Sequence, residues 1–444
     1  MSTEKNSSNP ILSSEEILAI RKKRFIGAVS AYYRKPLHLV RASGTYVYDD
    51  QGRAYLDCIG GIVSISAGHN HPRIKQKLLE MIGNDQIQHT STLYLNSYVA
   101  ELAEKITSEA PAGVDHVFFT NSGSEANELA LLAARHATGH NMIVNLRHSY
   151  HGGTSGTLAA CGHHTWRFDS QPVTGVTSAL EPNCYRCPFG KKPESCALEC
   201  AKNVETTIQT STSGKIAAFI AEPVMGVGGF ISPPKEYFAE VAEIAHRYGG
   251  KYISDEVQTG AGRCGKTFLL TKDLEIPADI VTMAKGFGNG AAIGATLMSA
   301  EISTALAGKT YFNTFGGDPY QTAQASLTMD IIQDEKLIEK AQVQGAYLRD
   351  ALEQLKKKHS LIGDVRGRGL LMGVELVKDR VTKEYATSEA AELMEQCRER
   401  GVLVGKGGLY GNVIRLAPPL TITRTECDTL IKAIDESLAV LAKT

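Results

Sequence analysis

Six short β-rich runs recur through the middle of the chain: HVFFT (116–120), MIVNL (142–146), AAFIAEP (217–223), YISDE (252–256), IVTMA (280–284) and ATLMSA (295–300). Most of the stretches between them have a helical texture. SEANELALLAARHA (124–137) and KEYFAEVAEIAHRYG (235–249) both carry apolar residues at helical spacing. This alternation constrains the fold most, because strand–helix–strand units pack as a largely parallel, open α/β sheet. Ligands of such sheets sit beyond the carboxyl ends of the strands. The notable polar residues fall there: Ser122, Gly123 and Ser124 after the first run, Glu222 near the end of the third, Asp255 in the fourth and Lys285 after the fifth.

The texture changes after FGGDP (315–319). A long helical stretch is expected over about 320–358, followed by GDVRGRGLLMGVELV (363–377), a helix near 387–400, the runs GVLV and VIRLAPPL (413–420), and a final helix. This reads as a smaller α+β lobe, and 444 residues are too many for one ordinary core. No internal repeat is present. The KKPES segment reads as an insertion, and Arg366 and Arg368 in VRGRG as structural residues of the small lobe.

Charge and cysteine usage remove several function classes. Lys plus Arg number 47 and Asp plus Glu 48, a net charge of -1, which argues against broad binding to nucleic acid or an anionic membrane. No apolar stretch reaches the length of a membrane span. The opening MSTEKNSSNP is polar and reads as a loose tail, so the expected compartment is the cytosol. Of nine cysteines, Cys184, Cys187, Cys196 and Cys200 are grouped. Four thiolates in one loop can hold zinc or an iron–sulfur cluster; a reduced loop and disulfide staples are the alternatives. The spacing of His69 and His71 in GHNHP lacks a carboxylate set to make it a metal site.

Three features carry chemistry. Lys285 ends an apolar run and is followed by glycines at 286, 288 and 290, which let backbone and ligand approach closely. A partly desolvated lysine there can form a Schiff base with a carbonyl; a lysine reaching solvent is the plainer reading. Gly123 and Ser124 stand where a strand turns into a helix, suited either to phosphate or to a serine cap. With Ser124 as the cap, the position three residues on is Asn127 and not the Glu or Gln of a capping box. Asp255 ends an apolar strand, where a buried carboxylate needs a cationic partner; a turn or cap is again the alternative. Together the three match the needs of pyridoxal phosphate: an amine for the aldehyde, a phosphate turn, and a carboxylate for the ring nitrogen. Tyr150 in HSYHGGT offers a ring to stack.

The chain resembles the class III aminotransferases, of fold type I among pyridoxal-phosphate enzymes, and within them the alanine–glyoxylate aminotransferase 2 group and its bacterial relatives. The resemblance rests on LDCIGGIVSISAGHNHP, HTSTLY, TNSGSEANELA, SYHG, DEVQTG, VTMAKGFGNG, NTFGGDP, VRGRGLLMGVEL and RLAPPL, in that order from about residue 40 to the C-terminus. It implies a large domain over 73–318, a small domain over 319–444, and an N-terminal segment 1–72 that joins the small one. It implies that Lys285 holds the aldehyde and moves the proton, that Asp255 faces the pyridine nitrogen, and that Gln258 faces the phenolic oxygen. Val257 would pack beneath the ring, Tyr150 would stack on it, and Ser122, Gly123 and Ser124 would form the phosphate turn. Thr314 would reach the phosphate of a neighbouring subunit, which implies a homodimer with shared active sites, or a tetramer built on it. Arg415 would bind the keto-acid carboxylate, with Glu222 pairing with it when a substrate lacks an α-carboxylate.

The implied reaction moves an amino group from alanine or an ω-amino compound to glyoxylate or pyruvate, through pyridoxamine phosphate. A lyase acting on a small amino-phosphate or aminophosphonate is the alternative on the same scaffold. The sequence departs from the family pattern at Met225, Ala261, Cys264 and Asp318. Ala261 is expected to widen the pocket near the substrate tail, and Met225 to remove an amide from it.

Overall fold

The computed structural model describes residues 12–168, 170 and 174–442. The polar tail expected at 1–10 lies outside them. After a helix at Ser14–Arg24 come three strands: β1 (Leu39–Ser43), β2 (Tyr46–Asp49) and β3 (Ala54–Asp57). Seven strands then build the central sheet: β4 (His116–Thr120), β5 (Ile143–Leu146), β6 (Val176–Ala179), β7 (Ala218–Ala221), β8 (Lys251–Asp255), β9 (Ile280–Met283) and β10 (Gly294–Met298). Their spatial order is β4-β10-β9-β8-β7-β5-β6. The pairings within β9-β8-β7-β5-β6 are parallel, whereas β10 runs antiparallel between β4 and β9.

Every residue of β5, β7, β9 and β10 is buried. That fits a sheet covered on both faces, where strands read as continuous apolar runs. The 123–138 helix packs on β8, β9 and β10, and the 235–247 helix on β7 and β8. Phe219, Ile220, Tyr252 and Ile253 are wholly buried. Each such apolar side chain contributes on the order of 1.5–3 kcal/mol.

The C-terminal part adds β11 (Ile362–Arg368), β12 (Leu371–Leu376), β13 (Val402–Leu403), β14 (Gly405–Gly407) and β15 (Val413–Leu416). One four-stranded sheet has the order β11-β12-β15-β14. The other, β1-β2-β3-β13, joins the first strands of the chain to one of its last through the parallel pair β3–β13.

Two expectations change. The helical stretch at 320–358 is two helices, Pro319–Asp334 and Leu337–Lys358, because Lys336 takes a left-handed conformation with φ 52°. Strand β6 had no counterpart among the six runs; VTSA is short and polar, and it occupies the sheet edge.

Candidate active site

A cavity of about 340 Å³ opens at the carboxyl ends of the parallel strands. Ser122, Gly123, Ser124, Tyr150, Glu222, Asp255, Val257, Gln258 and Lys285 all line it. Strand endings explain this convergence, because β4, β5, β7, β8 and β9 run in one direction and these residues lie at or just after their carboxyl ends.

Lys285 begins a short 3-10 turn directly after β9 and Ala284, with φ 50°. A non-glycine residue in that region costs roughly 1–2 kcal/mol. The surrounding glycines explain how the turn fits. A Cβ at Gly286 would run into Ser66 Oγ, and one at Gly288 would lie 2.6 Å from Ala291 O. Of the three glycines only Gly290 lines the cavity, so two of them serve packing of the turn and do not make room for a ligand. Burial lowers the pKa of the Lys285 amine; the nearby Arg415 adds to this, while Asp255 and Glu222 oppose it.

Asp255 ends β8 and is 3% exposed. Its Oδ2 accepts from Asn127 Nδ2 and from His151 Nδ1, both at 2.7 Å, and Oδ1 accepts from the Val257 amide at 3.1 Å. Asn127 also donates to His151 O at 2.8 Å and accepts from Thr282 Oγ1 at 2.6 Å. A buried chain therefore runs Thr282–Asn127–Asp255–His151. The other ring nitrogen of His151, Nε2, is buried with no partner among the described residues. The sequence reading did not select Asn127 or His151 as Asp255 partners. Asn127 carried a signal, being an amide on the apolar face of a helix aimed at the sheet.

At the start of the 123–138 helix, Ser122 and not Ser124 is the cap; its Oγ accepts from the Glu125 amide at 3.2 Å. Ser124 Oγ instead accepts from the Gly153 amide at 3.0 Å. The backbone amides of Gly123 and Ser124 have no acceptor among the described residues and stand at the cavity wall. A Cβ at Gly123 would lie 2.8 Å from a Val257 methyl, so only glycine fits between this turn and Val257.

The two residues expected on the substrate side are held by different partners. Arg415 in β15 is 6% exposed and donates through Nη2 to Gln258 Oε1 at 2.8 Å. Its guanidinium lies over the Phe230 ring, 4.6 Å from the centroid. No carboxylate lies within 4 Å of it among the described residues, so Arg415 and Glu222 are not paired here. The reason is local: Glu222 Oε1 accepts from the Tyr150 amide at 3.1 Å and Oε2 from the Gly226 amide at 2.7 Å. Burial pushes the Glu222 carboxyl up to about 7, with Asp255 adding to the rise and His151 opposing it. Tyr150 packs edge-on against Trp166, ring centroids 5.0 Å apart. Thr314 is exposed and lies outside the cavity of its own chain.

The departures from the family pattern do not line the cavity. Met225 is fully buried, its amide bonded to Ile231 O. Ala261 and Cys264 are buried, and Asp318 Oδ1 meets His89 Nδ1 at 2.9 Å. Neither Ala261 nor Met225 therefore shapes this pocket as expected. The four grouped cysteines share a separate cavity of about 640 Å³, and all are unpaired. Among the described residues no group of three or more His, Cys, Asp or Glu side chains is placed to hold a metal ion.

The donor set fits pyridoxal phosphate. Unpartnered helix amides suit an anion, a buried carboxylate held by three donors suits a protonated ring nitrogen, and a lysine with a lowered pKa suits an aldehyde.

Residues 29–438 match the family model described as aminotransferase class-III. The chain is 42% identical over 427 residues to the mitochondrial alanine–glyoxylate aminotransferase 2 homolog 2 of Arabidopsis thaliana, covering 96% of this chain and 88% of that one. A thermostable (S)-enantioselective omega-transaminase from Thermomicrobium roseum superposes with a TM-score of 0.89 at 32% identity, covering 97% of this chain and 99% of that one. An Arthrobacter phospholyase in complex with phosphoethanolamine superposes with a TM-score of 0.87 at 32% identity, covering 95% and 99%.

Proposed function

The chain belongs to the class-III aminotransferase family, whose members use pyridoxal phosphate, and we propose that it carries an amino group from alanine or an ω-amino compound to glyoxylate or pyruvate. The observation that carries this reading is the meeting of Lys285, Asp255 and the Gly123–Ser124 amides in one cavity. The similarity to an alanine–glyoxylate aminotransferase supports the choice of donor and acceptor.

When bound, pyridoxal phosphate supplies an electron sink for a carbanion at the substrate carbon. The chain does the rest. The amides of Gly123 and Ser124, at the positive end of a helix, would hold the phosphate. Asp255, its two oxygens fixed by three donors, would face the ring nitrogen. Val257 and Tyr150, which line the cavity, would bound the ring, and Gln258 would face its phenolic oxygen. Lys285 would hold the aldehyde and move a proton at the reacting carbon; its lowered pKa raises the fraction of free amine. Arg415 leaves Gln258 to grip a substrate carboxylate with a two-pronged, charge-assisted pair. Glu222, with both oxygens on backbone amides, fixes the Tyr150 loop at the substrate side.

A homodimer completes the site in this proposal. Leu93, Tyr94 and Leu95 are 75%, 73% and 104% exposed, and Phe315 is 58% exposed. The two segments lie together, with His89 against Phe315 at 4.9 Å. An apolar patch of this kind marks an interaction surface, and Thr314 stands within it. Cytosolic placement is also our proposal, supported by nine unpaired cysteines.

The test is an absorbance titration of the purified holoenzyme with single amines, no keto acid present, while ammonia is assayed. The expected result is one round of amine uptake, with no ammonia, reversed by pyruvate or glyoxylate. Repeated turnover that releases ammonia and needs no acceptor would overturn the transaminase reading in favour of the lyase.

A further inference from the structure

A second cleft, of about 570 Å³, lies between the 337–358 helix, the end of β11 and the 232–234 turn. Its charged lining is Lys266, Asp273, Arg349, Arg366 and Arg368, four cations against one acid. Two of the cations are neutralised. Lys266 pairs with Asp273 at 3.3 Å, and Arg366 Nη1 pairs with Asp364 at 2.9 Å and Glu375 at 2.6 Å. Arg349 and Arg368 have no carboxylate within 4 Å among the described residues.

Both unpaired arginines are held in place by neutral groups. Arg368 Nε donates to Ser232 Oγ at 3.1 Å, which leaves its two terminal nitrogens without a partner among the described residues. Arg349 Nη2 donates to Gly367 O, the carbonyl directly before Arg368. Two guanidinium groups are thus tethered to neighbouring positions in one concave site, with two positive charges uncompensated. Walls of protein focus that field, and a fixed fork of N–H donors matches the oxygens of a phosphate group.

We propose that this cleft binds a small dianionic phosphate, the phosphate group of a phosphorylated metabolite, between Arg349 and Arg368. The volume leaves room for an organic body beyond the phosphate. Ser232 and Lys266 come from the large domain and Arg349 and Arg368 from the small one, so the ligand bridges the two. The reading does not depend on the amino-transfer assignment, because none of these residues lines the catalytic cavity.

The experiment is calorimetric titration of the holoenzyme, whose phosphate turn is already filled, with inorganic phosphate and separately with glycerol phosphate. One site per chain is expected for glycerol phosphate, with affinity at least tenfold weaker in the Arg349→Gln/Arg368→Gln double variant. If that variant does not fold, Arg349→Gln alone is read, with at least a threefold loss expected. Tighter binding of glycerol phosphate than of phosphate supports a metabolite; the reverse order overturns that source. Absence of binding by both probes, or binding unchanged by the substitutions, overturns the site.

Discussion

Replacing Glu222 with Gln should change how the stability of the apoenzyme depends on pH. The Glu222 carboxyl is 4% exposed and stands at about 7, against an ordinary 4.5. The folded chain therefore holds this proton more tightly than the unfolded chain does. Stability from this group is fully present below about 4.5, declines as pH rises toward 7, and is flat at its lower value above that. The displacement corresponds to about 3 kcal/mol. Glu222→Gln removes the titration, and it also loses one acceptor, because the amide NH₂ cannot receive the hydrogen bond that Gly226 or Tyr150 now donates. That loss costs roughly 1–2 kcal/mol at every pH. The two effects separate in the measurement. The stability of the variant minus that of the wild type, from urea unfolding at pH 5 and pH 8, should be about 2.5 kcal/mol more favourable at pH 8. Difference curves that run flat across this range would refute the assignment of a raised Glu222 pKa.

Three further outcomes follow from the site. Lys285→Ala should lower turnover to below about 10⁻³ of wild type while far-UV circular dichroism is unchanged. Asn127→Ala leaves Thr282 Oγ1, His151 O and Asp255 Oδ2 each short of a partner; stability should fall by about 2–4 kcal/mol, read from the urea midpoint at constant slope. Gly407→Ala would place a Cβ 2.5 Å from Arg415 Cδ; displacement of the guanidinium should raise the KM for the keto acid about tenfold with little change in kcat.

The sequence showed where the chemistry would gather because strand endings can be read from short apolar runs. Lys285, Asp255 and the 122–124 turn were legible this way: each is a polar residue at the abrupt end of an apolar segment. What remained hidden depends on contacts between distant segments. Arg415 meets Gln258 across 157 positions, and His151 meets Asp255 across 104. No local pattern encodes such a meeting. The Glu222–Arg415 pairing is implied by the family resemblance for substrates lacking an α-carboxylate, whereas the two backbone amides that Glu222 accepts from are not distinguishable in sequence. The reversal at Lys336 was missed because lysine is a good helix former, and its φ of 52° reflects how two helices pack rather than what one residue prefers. The effect ascribed to Ala261 is not seen either, since the residue is buried outside the cavity lining, a placement no local pattern displays.

The strand order has a consequence for how the chain is made. Strand β4 stands at the sheet edge and pairs only with β10, so residues 116–120 have no partner until residues 294–298 leave the ribosome. At ordinary synthesis rates that interval is on the order of 10–30 s. Strand β3 pairs with β2 on one side, but its other edge waits longer, until β13 at residues 402–403 is made. The N-terminal strands are thus translated early and closed late, and a nascent chain halted before residue 400 would expose the edge of β3 to other chains.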